Sequence, residues 1–550
     1  MAETQMEIRS EPSAHVDSFA RDHLPPDELW PEMDYSALPE LAYPARLNCA
    51  AELLDRSVEA GHGDRTAVLY PGGSWTYREL LETANRIAHV LRDDLALVPG
   101  NRVLLRAPNT PMMAACWFGV LKAGGICVTT MPLLRTRELA YILHKAHVRF
   151  ALTDARLAEE LDEAAEGAPM AEQVVAFGTF TAGSLDILMH DKPTTWDNVD
   201  TAADDVALIA FTSGTTGQAK GTMHTHRDVL AVCDCFPRSI LKPEPSDIFC
   251  GSPPLAFTFG LGGLLLFPLR VGATALLLEQ ASPPQLLEAI QQHRATICFT
   301  APTAYRAMAD IAGDYDIRSL RKCVSAGETL PRPTFEAWHA ATGLRIIDGI
   351  GATEMLHIFI SAREDEIRPG STGKPVPGYR AIIVDHEMNE VPPGTVGRLA
   401  VRGPTGCRYL GDHERQQAYV QHGWNLTGDA YRMDEDGYFW YQARTDDIIV
   451  SAGYNIAGPE VENVLFEHPA VMECGVIGVP DPERGQIVKA FVVLREGWEP
   501  GEPTVKELQA YVKREIAPYK YPRAIEFVEN LPRTQTGKLQ RFRLREMATE

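Results

Sequence analysis

Residues 211–228 read FTSGTTGQAKGTMHTHRD, and their chemistry is that of an anion cradle. Glycines let a backbone curl until successive N–H groups converge on one point. The hydroxyls of Thr212, Ser213, Thr215 and Thr216 add donors around Gly214, and Lys220 adds a point charge suited to phosphate. The Walker A pattern G-x-x-x-x-G-K-[ST] does not fit. Gly214 and Lys220 have its separation, but Ala219 replaces the second glycine and Gly221 replaces the Ser/Thr that would hold magnesium. A plain flexible connection is the bland alternative. Against it, an apolar run from Val206 to Phe211 feeds the loop, and one lysine stands among many donors. A nucleotide triphosphate held by another scheme is expected, with its remaining partners elsewhere in the chain.

The elements that must carry such a loop are of α/β type. Thr76-Tyr-Arg-Glu79 is a capping box, followed by Leu80, Leu81, Ala84, Ile87, Ala88 and Leu91 at helical spacing. Val103–Leu105, Ile126–Val128, Phe150–Leu152, Thr296–Phe299 and Arg345–Ile347 are short apolar runs between helical patterns, which predicts largely parallel sheets. The apolar stretch Leu261–Leu278 is broken by Pro268 and Arg270 and reads as two buried strands rather than a membrane span. Near residue 445 the character changes. Asp434–Tyr441 (DEDGYFWY) reads as a hairpin, Pro459 as a helix start, and Val471–Val479 and Ile487–Leu494 as strands. Thr504-Val-Lys-Glu507 reads as a second capping box. We expect a large N-terminal domain over residues 1–445, built of several α/β subdomains, and a small α+β domain over 446–550.

A net charge of −22 disfavours nucleic acid and anionic membranes as partners, since both require basic patches. Ten cysteines without paired metal spacing point to reduced thiols rather than zinc. The polar, acidic first residues lack the basic and apolar regions of a secretory signal, so a cytoplasmic location is expected.

Five motifs occur in a fixed order: TSGTTGQAKG, DGIGATE (348–354), LTGD (426–429), ARTDDIIVSAGYNI (443–456) and PRTQTGK (532–538). Together they resemble the adenylate-forming superfamily of acyl- and aryl-CoA ligases, from about Thr76 to Arg541. SPPLAFTFGLGGLLLFP (252–268) and GIGATEMLHIF (349–359) look most like the benzoate- and 2-aminobenzoate-CoA ligases. Three departures are visible: Gln218-Ala219 for a basic-Pro pair, Ala443 for a glycine, and Tyr454 for an acidic residue.

The resemblance implies ATP, Mg²⁺ and coenzyme A as co-substrates and cofactor, and a small aromatic carboxylate as the acid. It assigns Thr212, Ser213, Gly214, Thr215, Thr216 and Lys220 to the β- and γ-phosphates. Gly327, Glu328, Asp348 and Gly349 fall to the adenine, Asp429 to the ribose, and Arg444 to the ribose or phosphate. Glu354, preceded by Thr353, is the implied magnesium ligand, and Lys538 the implied catalytic cation. Phe257, Phe259, Gly351, His357 and Ile358 would line the acid pocket. The pocket stretches hold no Arg or Lys, which argues against a dicarboxylate. Asp446 is the implied hinge of a mobile C-terminal domain that carries Lys538, and Gly453 and Tyr454 the implied coenzyme A channel. A stand-alone adenylation enzyme that loads a carrier protein is the alternative. The resemblance also leaves room for a homodimer, and for a lysine acetyltransferase acting on Lys538.

Overall fold

The structure is a computed structural model that describes residues 12–168, 170–212, 219–451, 454–481, 484–516, 518–533 and 539–549. By contact density the chain forms two compact units. One comprises Met1–Leu330, Thr334–Ala381 and Val401–Asn425; the other comprises Pro331–Pro333, Ile382–Ala400 and Leu426–Glu550.

The first unit is built on two large sheets. In the six-stranded sheet the spatial order is Gln173–Phe177, Phe150–Asp154, Arg102–Arg106, Ile126–Thr130, β1 (Val206–Thr212) and β2 (Lys220–Thr225). All neighbours are parallel except β1 and β2, whose antiparallel register sets Thr212 opposite Lys220. The run at 206–211 lies in a strand, as expected, and β1 and β2 flank residues 213–218. Helix α1 (His226–Phe236) follows β2 directly, its first turn closed by a capping box of Thr225 and Asp228.

The nine-stranded sheet carries β3 (Ile248–Gly251), β4 (Ile297–Thr300), β5 (Lys322–Ser325), β6 (Ile346–Gly351) and β7 (Ile358–Ser361), with spatial order β7–β6–β5–β4–β3 at its centre. Strands β3 to β6 are parallel, and β7 returns antiparallel to β6. Its core packs Leu286, Leu287, Ile290, Tyr305 and Trp338, all fully buried. The two strands expected across Leu261–Leu278 give way to a helical path from Thr258 to Arg270, then a strand at Thr274–Leu276. A helix buried on every side shows no polar stripe, so its apolar run looks like buried strands. A wide π-type turn at Gly262–Leu266 precedes Pro268, which has no N–H to give the helix.

Between residues 380 and 444 lies a further sheet that includes β8 (Trp424–Met433) and β9 (Phe439–Arg444), the hairpin expected around Asp434–Tyr441.

In the second unit, five strands (Ile448–Ser451, Tyr454–Ala457, Val471–Asp481, Gly485–Leu494 and Ala524–Phe527) form a sheet. Helices Gly458–Phe466 and Glu502–Glu515 contribute Val461, Leu465, Leu508 and Val512 to its core. The capping box expected at Thr504–Glu507 does not form. The helix starts at Glu502 behind Gly501, and the Thr504 hydroxyl donates instead to Glu499 O at 2.8 Å.

Candidate active site

Strands β1 and β2 flank the loop expected to bind phosphate. Thr212 and Lys220 face one another in register, and Tyr141 OH donates to Ala219 O at 3.1 Å. Ser213, Gly214, Thr215 and Thr216 lie outside the described residues. Lys220 Nζ stands 5.7 Å from the centroid of the Tyr409 ring.

Beyond the end of β6 the chain makes one 3₁₀ turn, Thr353–Met355, that buries Glu354. Tyr409 OH donates to Glu354 Oε1 at 2.5 Å. Burial and the neighbouring carboxylate push the Tyr409 phenol far above its ordinary value, so it stays a donor. No second partner holds the other oxygen of Glu354 among the described residues. A hard carboxylate oxygen without a protein partner among the described residues fits Mg²⁺, which is commonly held by one or two carboxylates together with substrate phosphates. Among the described residues no group of three or more His, Cys, Asp or Glu is arranged to hold a metal by protein ligands alone.

Glycine 327 follows β5 at φ 89°, a left-handed conformation that glycine takes without strain, and Glu328 comes next. Asp348 and Gly349 lie on β6. A Cβ on Gly349 would stand 2.8 Å from Ile358, so the absence of a side chain there lets β7 close against β6. Asp348 is partly buried, and its Oδ1 is enclosed with no hydrogen-bond partner among the described residues. Burial pushes its pKa up to about 8, against a smaller pull from Gly349 N–H and the Ser325 hydroxyl.

Three phenyl rings pack around His357, and a fourth extends the cluster. Phe267 stands edge-on to it at 4.5 Å, Phe259 is tilted at 5.8 Å, and Phe236 stacks at 6.0 Å, while Phe299 on β4 lies 5.7 Å from Phe259. Small residues make room: a Cβ on Gly262 would lie 2.3 Å from His357 Cδ2, and one on Gly263 would lie 2.5 Å from Phe299. A Cβ on Gly351 would likewise lie 2.9 Å from the His357 carbonyl. Burial lowers the His357 pKa to about 3, so the ring is neutral. Its Nε2 donates to Phe259 O at 3.4 Å, which leaves Nδ1 as a buried acceptor with no partner among the described residues. Phe257, partly buried, caps the start of the helix at Thr258.

In the second unit, Asp429 and Arg444 are opposite one another across β8 and β9. Arg444 donates through one nitrogen to Asp429 Oδ1 at 2.9 Å and to Thr427 O at 3.0 Å. Gly428, at φ 76°, permits this: a Cβ there would lie 2.5 Å from the guanidinium. The next residues, Thr445–Asp447, form a 3₁₀ turn. For Asp446 and Tyr454 only the backbone is described; Gly453 and Lys538 lie outside the described residues.

A profile of the AMP-binding enzyme family matches residues 54–409, and one of the AMP-binding enzyme C-terminal domain matches residues 460–538. The chain belongs to the AMP-binding enzyme family. Its enzymatic class is that of the AMP-forming acid–thiol ligases. The chain is 37% identical over 513 residues to a benzoate–CoA ligase of Thauera aromatica, covering 92% of this chain and 97% of that protein. Among solved structures it is similar to the anthranilate CoA ligase AuaEII in complex with anthranoyl-AMP (TM-score 0.88, 36% identity, 93% of this chain and 99% of that one). It is also similar to a benzoate CoA ligase from Burkholderia xenovorans LB400 (TM-score 0.83, 35% identity, 91% and 100%).

Within this AMP-binding enzyme, motif reasoning did not single out Tyr409, Phe299, Phe267 or the buried trio His224, Asp228 and Arg408. Arg408 donates to Asp228 Oδ2 at 2.7 Å, and His224 Nδ1 lies 4.0 Å from the same carboxylate. An arginine and an aspartate that are both fully buried must be paired, but no spacing links them in the sequence. The small-domain cations Lys513, Arg514, Lys520 and Arg523 are engaged locally: Lys520 pairs with Glu460, and the other three lie over Tyr521 or Tyr511.

Proposed function

We propose that the protein is an ATP-dependent aryl-CoA ligase for a benzoate-type acid. The carboxylate oxygen of the acid attacks the α-phosphorus of ATP and pyrophosphate leaves. The thiol sulfur of coenzyme A then attacks the acyl carbon and AMP leaves. In the first step two anions approach each other, so position and positive charge govern the rate. Thr212, Lys220 and the loop between them hold the β- and γ-phosphates. Asp348 and Gly349, with Gly327 and Glu328, take the adenine; Asp429 and Arg444 take the ribose. Mg²⁺, held by Glu354, neutralises phosphate charge when bound. Lys538 steadies the carboxylate and the α-phosphate, and the domain over 446–550 swings about Asp446 to admit the thiol past Gly453 and Tyr454. Acetylation of Lys538 by a lysine acetyltransferase would remove its charge and stop the first step. A cytoplasmic location belongs to the same reading.

The observation that carries this reading is the position of His357. It lies three residues past Glu354, so the ring cluster suited to a flat acid and the carboxylate suited to phosphate chemistry belong to one short segment. A second reading narrows the acid. The unpaired Nδ1 of His357 accepts a hydrogen bond from a ring amino group, which favours 2-aminobenzoate.

A substrate panel tests both. Protein, MgATP and coenzyme A are mixed with benzoate, 2-aminobenzoate, hydroxybenzoates, cinnamate and hexanoate, and AMP and thioester are measured. Benzoate or 2-aminobenzoate should give the highest kcat/KM; a preference for hexanoate would sink the aryl reading. His357→Leu should lower kcat/KM for 2-aminobenzoate about tenfold, the worth of one good hydrogen bond, and leave benzoate within about threefold. AMP release without thioester would favour a carrier-protein thiol instead.

A further inference from the structure

The turn at Thr353–Met355 is held residue by residue. His224 Nε2 lies 2.7 Å from Thr353 O, Tyr409 OH donates to Glu354 Oε1, and Thr405 Oγ1 donates to Met355 O at 2.7 Å. All three donors are buried. A carbonyl partner requires the His224 proton on Nε2, which fixes the tautomer. Thr405 is itself oriented by the Tyr379 hydroxyl at 2.8 Å. His224 and Tyr409 come from adjacent strand segments: Met223 N donates to Arg408 O at 2.8 Å, Leu410 N donates to Gly221 O at 2.9 Å, and Thr222 lies opposite Tyr409. Opposite residues share a face of a sheet and so do residues two apart, which puts His224 and Tyr409 on the same side.

The backbone shows that this clamp works against local preference. Leu356, immediately after the turn, sits at φ 69° and ψ −41°. Non-glycine residues rarely take positive φ, and such conformations persist only where surrounding contacts over-determine them.

The geometry points to His224, Thr405 and Tyr409 as positioning residues that preset the Glu354 carboxylate for a divalent cation. The inference rests on the reading of Glu354 as the magnesium ligand. The Tyr409 hydroxyl occupies one carboxylate oxygen and leaves the other without a protein partner among the described residues. The two carbonyl clamps hold the Thr353–Glu354 and Met355–Leu356 peptide planes, one immediately before Glu354 and one at the end of the turn. The carboxylate then need not be ordered at the moment of binding, and groups that orient a ligand in this way commonly contribute 10–100-fold to metal affinity.

The test reads metal binding directly. Mn²⁺ is titrated into the full-length protein with a non-hydrolysable ATP analogue, and the EPR signal of free Mn²⁺ is followed. Tyr409→Phe, which removes a single hydroxyl, and His224→Leu should each weaken Mn²⁺ about ten- to a hundredfold. His224→Gln places an amide donor where the ring Nε2–H stood and should recover to within about threefold of wild type. Transfer from a supplied acyl-adenylate to coenzyme A should stay within about twofold in all three, because that step does not use the triphosphate. Equal losses in the Leu and Gln variants would make His224 a mere space-filler and overturn its assignment. Wild-type Mn²⁺ affinity in both Tyr409→Phe and His224→Leu would overturn the inference as a whole. No ATP-dependent Mn²⁺ binding by the wild-type protein is a different result: it overturns the magnesium reading of Glu354, and this inference with it.

Discussion

Two carboxylates in this molecule are placed by opposite means. Glu354 sits on a buried turn whose residues are gripped from three distant points of the chain, with Leu356 strained beside it. Asp429 sits on β8 within a five-stranded sheet, opposite Arg444 on β9 by strand register; the arginine side chain is 41% exposed and the carboxylate 11%. The first arrangement exists only when the whole unit is folded. The second follows from strand pairing and one glycine. A site built by long-range clamps resists change and tolerates little substitution, whereas one built by register is readily formed and individually weak. The Arg444–Asp429 pair is open to water on its arginine side, where solvent and salt screen it.

The largest effects should separate the half-reactions, because in the proposed mechanism the clamped turn serves one geometry while the chain after the hairpin serves two. Lys538→Ala should slow acyl-adenylate formation roughly 10²–10³-fold, yet still pass a supplied acyl-adenylate to coenzyme A. Asp446→Pro fixes φ near −65° and should do the reverse, sustaining pyrophosphate release while thioester formation stalls. Pyrophosphate and thioester assays on each variant decide the matter; equal damage to both steps in both variants would remove the hinge from the mechanism. Next in size is the direct contrast between the two regions. Glu354→Gln should lower adenylation about 10²-fold. Arg444→Lys keeps the charge but loses the planar guanidinium whose one nitrogen is carried to both Asp429 and Thr427, and should raise KM for ATP only about three- to tenfold with kcat nearly unchanged. Comparable losses in the two variants would mean that the hairpin is held as tightly as the turn.

The same contrast explains which features could be read from the sequence. Strands β1, β4 and β6 follow from apolar runs between turn signals, and the Asp434–Tyr441 hairpin from its Asp-Gly turn. Motif order located Glu354, Asp429 and Arg444 without their partners. Tyr409 lies 55 residues from Glu354, and His224 lies 129 from Thr353, so no local periodicity could reveal either contact. The helix at Thr258–Arg270 was missed because burial on all faces erases the 3.6-residue stripe that marks a helix. The box at Thr504 was misread because a Ser/Thr-x-x-Glu pattern specifies a cap only where the chain enters the helix, and Gly501 had already made that entry.

The smallest predicted effect concerns Asp348, a third carboxylate that has neither the clamp of Glu354 nor the arginine of Asp429. Its Oδ1 is enclosed without a partner, and burial raises its pKa to about 8. In the unfolded chain an aspartate releases its proton near pH 4. Between those values the folded protein holds a proton that the unfolded chain has lost, so this residue makes stability fall as pH rises from about 4 to about 8, with no further change above. Asp348→Asn removes the titration and keeps the neutral shape. Its Tm relative to wild type should therefore rise steadily from pH 5 to pH 8, by a few degrees for a chain of this size, and level off at higher pH. A difference that stays constant across that range would show that the carboxyl is already ionised at pH 5. The aspartate would then have a cation or donor of its own, and would be held more like Asp429 than like an isolated acid.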